Sequence, residues 1–76
     1  MGTGRALSVR VVDVIRELAE ERGDTQTTLG LRSSLGQPQI SRLYRGRAHL
    51  KLDELDALCQ ALDVSILDVL DRALHP

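Results

Sequence analysis

The residues with the most suggestive chemistry lie between positions 25 and 52, where arginine, lysine and glutamine occur without a single Asp or Glu. Positions 53–76 have the opposite balance, with six acidic side chains against Arg72 alone. The formal net charge of −1 therefore hides a basic middle and an acidic end, whose opposite charges nearly cancel in the sum. The basic segment favours a polyanion-binding face, although an ordinary solvated surface is the alternative.

The amide and guanidinium groups of this segment match the chemistry of double-stranded DNA. The sequence predicts a helix over residues 37–45, opened at Gly36 or Gln37 and ended by Gly46. Its helical period of about 100° per residue places Ile40 and Leu43 on the buried side. In the major groove Gln pairs with adenine, Arg pairs with guanine, and Pro can contact a thymine methyl group. The side chains predicted to contact bases are Gln37, Pro38, Gln39, Ser41 and Arg42.

A second set of residues suits the phosphate backbone. Thr25 and Gln26 lie at the start of another predicted helix, where free N–H groups and the helix dipole favour an anion. The basic side chains around the 37–45 helix would raise affinity without distinguishing sequences. The predicted phosphate-binding residues are Thr25, Gln26, Arg32, Arg45, Arg47 and Lys51.

The elements that position these residues are all predicted to be helical. Helices are expected from Ser8 to about Arg22, over 26–33 with Thr25 as N-cap, over 51–62, and from Ser65 onward. Gly30 inside the second helix suggests that another helix crosses closely there. With one Tyr and neither Trp nor Phe, the core must be aliphatic. We expect residues 1–8 to be a flexible arm and residues 9–76 to be one domain.

Other functional classes find little support in the sequence. His49 and His75 are isolated, and no nucleophile–base pair, phosphate-binding loop or metal-ligand spacing is present. Cys59 is better explained as a small core residue than as a nucleophile. We therefore expect no enzymatic activity, no cofactor and no metal. Without a signal peptide or an apolar run of spanning length, we expect a cytoplasmic protein that does not enter the membrane.

Residues 11–70 resemble the lambda-repressor/Cro-like helix-turn-helix family, also called the xenobiotic-response-element family. The matching features are a helix ending R-G, then T-Q-x-x-L, I-S-R-L, R-G-R, a Leu-rich helix ending A-L, and D-V-S. The resemblance implies an all-α, five-helix lambda-repressor-like DNA-binding domain. It also implies that Gln26 pairs with Gln37, that Pro38 and Arg42 contact bases, and that Arg45 contacts the backbone or a base.

Three positions depart from the family pattern. Ser34 replaces the usual turn glycine, which leads us to expect something other than an ordinary left-handed turn. Tyr44 replaces a frequent Glu, and we expect its ring to be half-buried against the loop before the fourth helix. Gly30 replaces a small residue that is usually Ala.

The sequence as a whole predicts a sequence-specific DNA-binding transcriptional regulator, a repressor of bacterial or phage origin. A domain this small would bind a palindromic operator as a two-fold homodimer. Leu67, Leu70 and Leu74 are the candidate dimer surface, unless they complete the monomer core. The alternative function is an antitoxin or other protein-interaction module whose acidic, apolar C-terminal part covers a partner. Nonspecific coating of nucleic acid is a third hypothesis, and a protein antagonist is a further possible partner.

Overall fold

The computed structural model describes residues 6–75, which form five α-helices and no strand within that range. The helices are α1 (Leu7–Glu21), α2 (Gln26–Ser33), α3 (Gln37–Tyr44), α4 (Leu52–Leu62) and α5 (Ile66–Leu74). This confirms the predicted all-α class. None of the described helices is long and apolar enough to cross a membrane.

The helices enclose one aliphatic core. α1 packs against α3, α4 and α5, while α2 packs against α3 and α4. Leu29, Ile40 and Leu62 are completely buried, so α2, α3 and α4 each contribute a side chain to the centre. The other buried apolar residues are Val11, Val12, Val14, Ile15, Ala19, Leu43, Leu55, Leu58, Cys59, Val69 and Ala73. Burial of Cys59 raises the pKa of its thiol, with a smaller contribution from Asp56, as suits a core residue.

Capping residues explain where the helices begin and end. The hydroxyl of Thr25 accepts a hydrogen bond from the Thr28 N–H (3.1 Å), and the Thr25 N–H donates to the Thr28 hydroxyl (2.9 Å). This capping box starts α2 at the predicted residue. Gly23 and Gly46 follow α1 and α3 with φ of 78° and 71°, a region that glycine enters without strain.

The N-terminal boundary differs from the prediction. α1 begins at Leu7, so Leu7 and Ser8 belong to the helix and not to an arm. The prediction for residues 1–5, including Arg5, lies outside the described residues. Arg10 lies in α1, and its Nη1 donates to the carbonyl of Ala73 (3.4 Å). Arg10 therefore tethers the end of α5.

The α2–α3 turn is left-handed in spite of its serine. Ser34 has φ 65° and ψ 10°, so the expectation of a different turn was wrong. Its neighbour Gly36 has φ 88°, and the Gly36 N–H donates to the carbonyl of Gly30 (3.1 Å). A Cβ on Gly30 would lie 2.6 Å from the Gln37 nitrogen. The close crossing expected at Gly30 is thus confirmed, and it fixes the angle between α2 and α3.

The three leucines of α5 do not have the same surroundings. Leu70 is half-buried and packs against the core, as the monomer-core alternative requires. Leu67 is 76% exposed and Leu74 is 49% exposed, so both remain apolar surface.

Candidate nucleic-acid interface

The outer side of α3 carries the residues that were predicted to contact bases. Because Ile40 and Leu43 anchor the helix to the core, Gln37, Pro38 and Arg42 are left exposed. Ser41 and Gln39 are half-buried at the two edges of this side. We call this surface the α3 face, defined by Gln37, Pro38, Gln39, Ser41 and Arg42.

A side-chain pair holds the N-terminal end of the α3 face. The Gln37 amide nitrogen donates to the Gln26 carbonyl oxygen at 2.9 Å. The pairing implied by the family resemblance is therefore present. It ties the first residue of α2 to the first residue of α3, across the close contact at Gly30. Both amides keep further donors and acceptors for another partner.

Gln39 is engaged in a way that sequence reasoning missed. Its amide nitrogen donates to Oε2 of Glu54 at 3.0 Å. Oε1 of the same carboxylate accepts the backbone N–H of Lys51 at 2.9 Å and caps α4. The structure thus brings one acid to the edge of a basic segment that contains none. The only signal in the sequence was an acid in the first turn of a helix, which does not predict a contact with α3.

Besides Gln26, which pairs with Gln37, two more of the predicted phosphate-binding residues already have partners within the protein. The Thr25 hydroxyl and N–H are occupied by the capping box with Thr28. Arg32 forms an ion pair with Asp24, whose other oxygen accepts the Thr28 hydroxyl (3.0 Å). Asp24 was not singled out in the sequence. These partners compete with any phosphate for the same groups.

The remaining basic residues lie in the last turn of α3 and along the loop that leads to α4. Arg45 is its C-cap, and the Arg47 N–H donates to the carbonyl of Arg42 at 2.8 Å. Lys51 is the N-cap of α4, at the far end of the loop. In the described part of the chain Arg42, Arg45, Arg47 and Lys51 are exposed and form no ion pair. Their charge is therefore available to a polyanion.

Tyr44 is half-buried, as expected, but its ring contact is with α1. The Arg16 guanidinium carbon lies 5.2 Å from the ring centroid, a distance that allows a cation–π interaction. Burial raises the pKa of the phenol above 10.0; Arg16 lowers it, and Glu20 and Asp24 raise it further. The ring thus fastens the end of α3 to α1.

The chemistry of the α3 face follows from the types of its side chains. The described residues contain no group of three His, Cys, Asp or Glu side chains that could hold a metal ion. What the α3 face presents is amide and guanidinium groups on an exposed helix, which is the chemistry of base-edge recognition.

Comparisons with known proteins agree with this arrangement. Residues 14–73 match the family described as Cro/C1-type HTH DNA-binding domain. A solved structure, the clp gene regulator ClgR from C. glutamicum, superposes with a TM-score of 0.84 at 28% sequence identity, covering 92% of this chain and 91% of that one. No curated protein matches the chain. Since the matched region takes in all of α2, α3 and α4 together with most of α1 and α5, the chain belongs to the Cro/C1-type helix-turn-helix DNA-binding domain family.

Proposed function

We propose that this protein is a sequence-specific transcriptional repressor that inserts α3 into the major groove of double-stranded DNA. The observation that carries the proposal is the α3 face itself. Ile40 is completely buried and Leu43 is 3% exposed, while Gln37 and Arg42 project from the opposite side. The Gln26–Gln37 pair holds the leading end of the helix before DNA arrives, which lowers the ordering cost of binding.

A two-fold homodimer would supply the affinity that one small domain lacks. The exposed leucines Leu67 and Leu74 lie on one side of α5, which is a different helix from the one that carries the α3 face. Two copies paired through α5 would present their two α3 helices to half-sites about one turn of the DNA double helix apart. This arrangement corresponds to a palindromic operator. A dimer bound across a promoter would exclude polymerase without further machinery, and this is the reason for proposing repression.

The first experiment selects bound sequences from random DNA with the wild-type protein and with Arg42→Ala. We expect a palindromic consensus for the wild type and a loss of about 5- to 150-fold in affinity for Arg42→Ala, the range for one bidentate base contact. The matched control is Arg72→Ala, since Arg72 is likewise an exposed arginine in the last turn of a helix. No consensus in the wild type would refute the proposal. The antitoxin alternative would be favoured if neither protein bound an operator while the wild type and Arg42→Ala both captured the same protein partner.

The second experiment tests the oligomer by analytical ultracentrifugation. We expect Leu67→Ser to shift the population to monomer and to weaken operator binding, because a dimer contacts both half-sites at once. Leu31→Ser is the control, since Leu31 on α2 is 75% exposed and Leu67 is 76% exposed. Equal dimer populations in all three proteins would remove Leu67 from the interface.

The third experiment measures salt dependence for the residues proposed to bind phosphates. Replacing Arg45, Arg47 or Lys51 by Ala should each reduce the slope of log affinity against log salt by about 0.9, without changing the consensus.

A reporter carrying the selected operator over its promoter should show lower transcription when the protein is present. Higher transcription would assign activation instead of repression.

A further inference from the structure

Glu54 holds Gln39 in a geometry that leaves little freedom to either side chain. One carboxylate oxygen accepts the Lys51 backbone N–H at 2.9 Å, and the other accepts the Gln39 amide nitrogen at 3.0 Å. Glu54 and Gln39 are both half-buried. The carboxylate is thus anchored to the start of α4 and in turn anchors an amide at the edge of the α3 face.

The chemistry of this pair determines which way the amide is turned. The two ends of a glutamine amide are usually hard to distinguish, but an ionised carboxylate can only accept hydrogen bonds. The nitrogen of Gln39 must therefore point to Glu54, and its carbonyl oxygen is turned away from the carboxylate. The amide nitrogen keeps its second N–H, so Gln39 presents this oxygen as an acceptor together with one remaining donor. The Gln26–Gln37 pair has no such restriction, because two amides can pair in either orientation.

We propose that Glu54 is a positioning residue that sets the hydrogen-bond polarity of Gln39, so that Gln39 selects a base with an amino group. In the major groove these bases are adenine, through N6, and cytosine, through N4. The inference rests on the proposed function, since it assigns what one residue of the α3 face recognises. A phosphate is a poorer partner than a base edge at this position, because the nearby Glu54 carboxylate repels it.

The decisive variant is Glu54→Gln, studied by selection from random DNA. Its carbonyl oxygen can still accept the Lys51 N–H, which leaves the new amide nitrogen to donate to Gln39. The Gln39 amide must then turn over and present its own nitrogen outward. We expect one position in each half-site to change from adenine or cytosine to guanine or thymine, by about 5-fold or more in relative affinity.

Three further variants separate positioning from general effects. Asp53→Asn makes the same change of charge one residue away, at an exposed site in the same helix turn, and should keep the wild-type consensus. Gln39→Ala should lose the preference at that single position. The double variant Gln39→Glu with Glu54→Gln exchanges donor and acceptor between the two positions, so that position 39 again turns an acceptor oxygen outward. We expect it to restore the preference for adenine or cytosine even if total affinity falls.

The outcomes are distinguishable. Suppose that Gln39→Ala loses the preference but that wild type and Glu54→Gln select the same base at this position. That result would overturn the role of Glu54. An unchanged consensus in Gln39→Ala would show that Gln39 contacts no base, and the inference would fail while the proposed function stood. If the wild type selected no consensus, the proposed function would itself have failed. Thermal unfolding by circular dichroism verifies that each variant is folded. Gln39→Ala leaves the capping carboxylate of Glu54 in place, so it keeps the inference refutable if Glu54→Gln does not fold.

Discussion

Replacing Ser34 by Gly should stabilise the protein, because the turn between α2 and α3 holds a serine in the left-handed region. The Ser34 φ of 65° costs a residue with a Cβ about 1–2 kcal/mol relative to glycine. Glycine gives back about 0.4–1 kcal/mol through the larger entropy of the unfolded chain. Within residues 6–75 no hydrogen bond involves the Ser34 hydroxyl, so none is lost. The net expectation for Ser34→Gly is a gain of about 0.5–1 kcal/mol in the free energy of unfolding.

The assay is urea and thermal unfolding at one fixed protein concentration, since association would shift the midpoint. For a domain of this size the gain corresponds to a Tm increase of about 3–6 °C. Ser34→Ala is the matched control, because it removes the hydroxyl and keeps the Cβ, and it should not be stabilised. If Ser34→Gly were no more stable than Ser34→Ala, the strain argument for this turn would be refuted.

Three other predictions concern the supports of the α3 face. Thr25→Ala removes the capping box and should lower the free energy of unfolding by about 1 kcal/mol, whereas Thr25→Ser should retain most of it. Gly30→Val forces a Cβ to within 2.6 Å of the Gln37 nitrogen. We expect the free energy of unfolding, measured with urea, to fall by about 3 kcal/mol, and DNA binding to weaken. Wild-type stability in this variant would contradict the close packing of α2 on α3. The single tyrosine should titrate by ultraviolet absorbance above pH 10.0, with a lower midpoint in Glu20→Gln because a negative charge is lost. The folded state holds the Tyr44 proton more tightly than the unfolded state does. The free energy of unfolding should therefore be unaffected below pH 10.0 and should fall as the pH rises through the folded-state pKa. A titration midpoint of Tyr44 at its ordinary value would contradict the burial of the ring.

Most of the helices could be predicted because their signals are local. Thr25 predicts the start of α2 through a side chain that bonds its own helix, and Gly23 and Gly46 mark ends through backbone freedom. The burial of Ile40 and Leu43 follows from helical periodicity alone. The start of α1 was placed too late, since neither Leu7 nor its N-cap Ala6 carries a capping signal.

The partners of the polar side chains could not be predicted in the same way. The sequence indicated no partner for Arg10, yet it is half-buried against the last turn of α5 because α1 and α5 pack together. Arg32 was assigned only to phosphate, yet Asp24 pairs with it from beyond the other end of α2. In each case the sequence shows that a charge is present, but not which charge or carbonyl lies opposite it.

Local patterns along the chain are enough to predict the class of this protein: helices of a given length, an aliphatic core, and a basic, amide-rich helix with one buried side. These properties depend on residues a few positions apart, whose interactions are dictated by helical geometry. The tertiary structure alone decided that Ser34 takes a left-handed turn and that Glu54, from the acidic end of the chain, meets Gln39 on the basic face. Such contacts arise only when separate helices pack, because the docking angle, and not the spacing along the chain, sets which side chains meet.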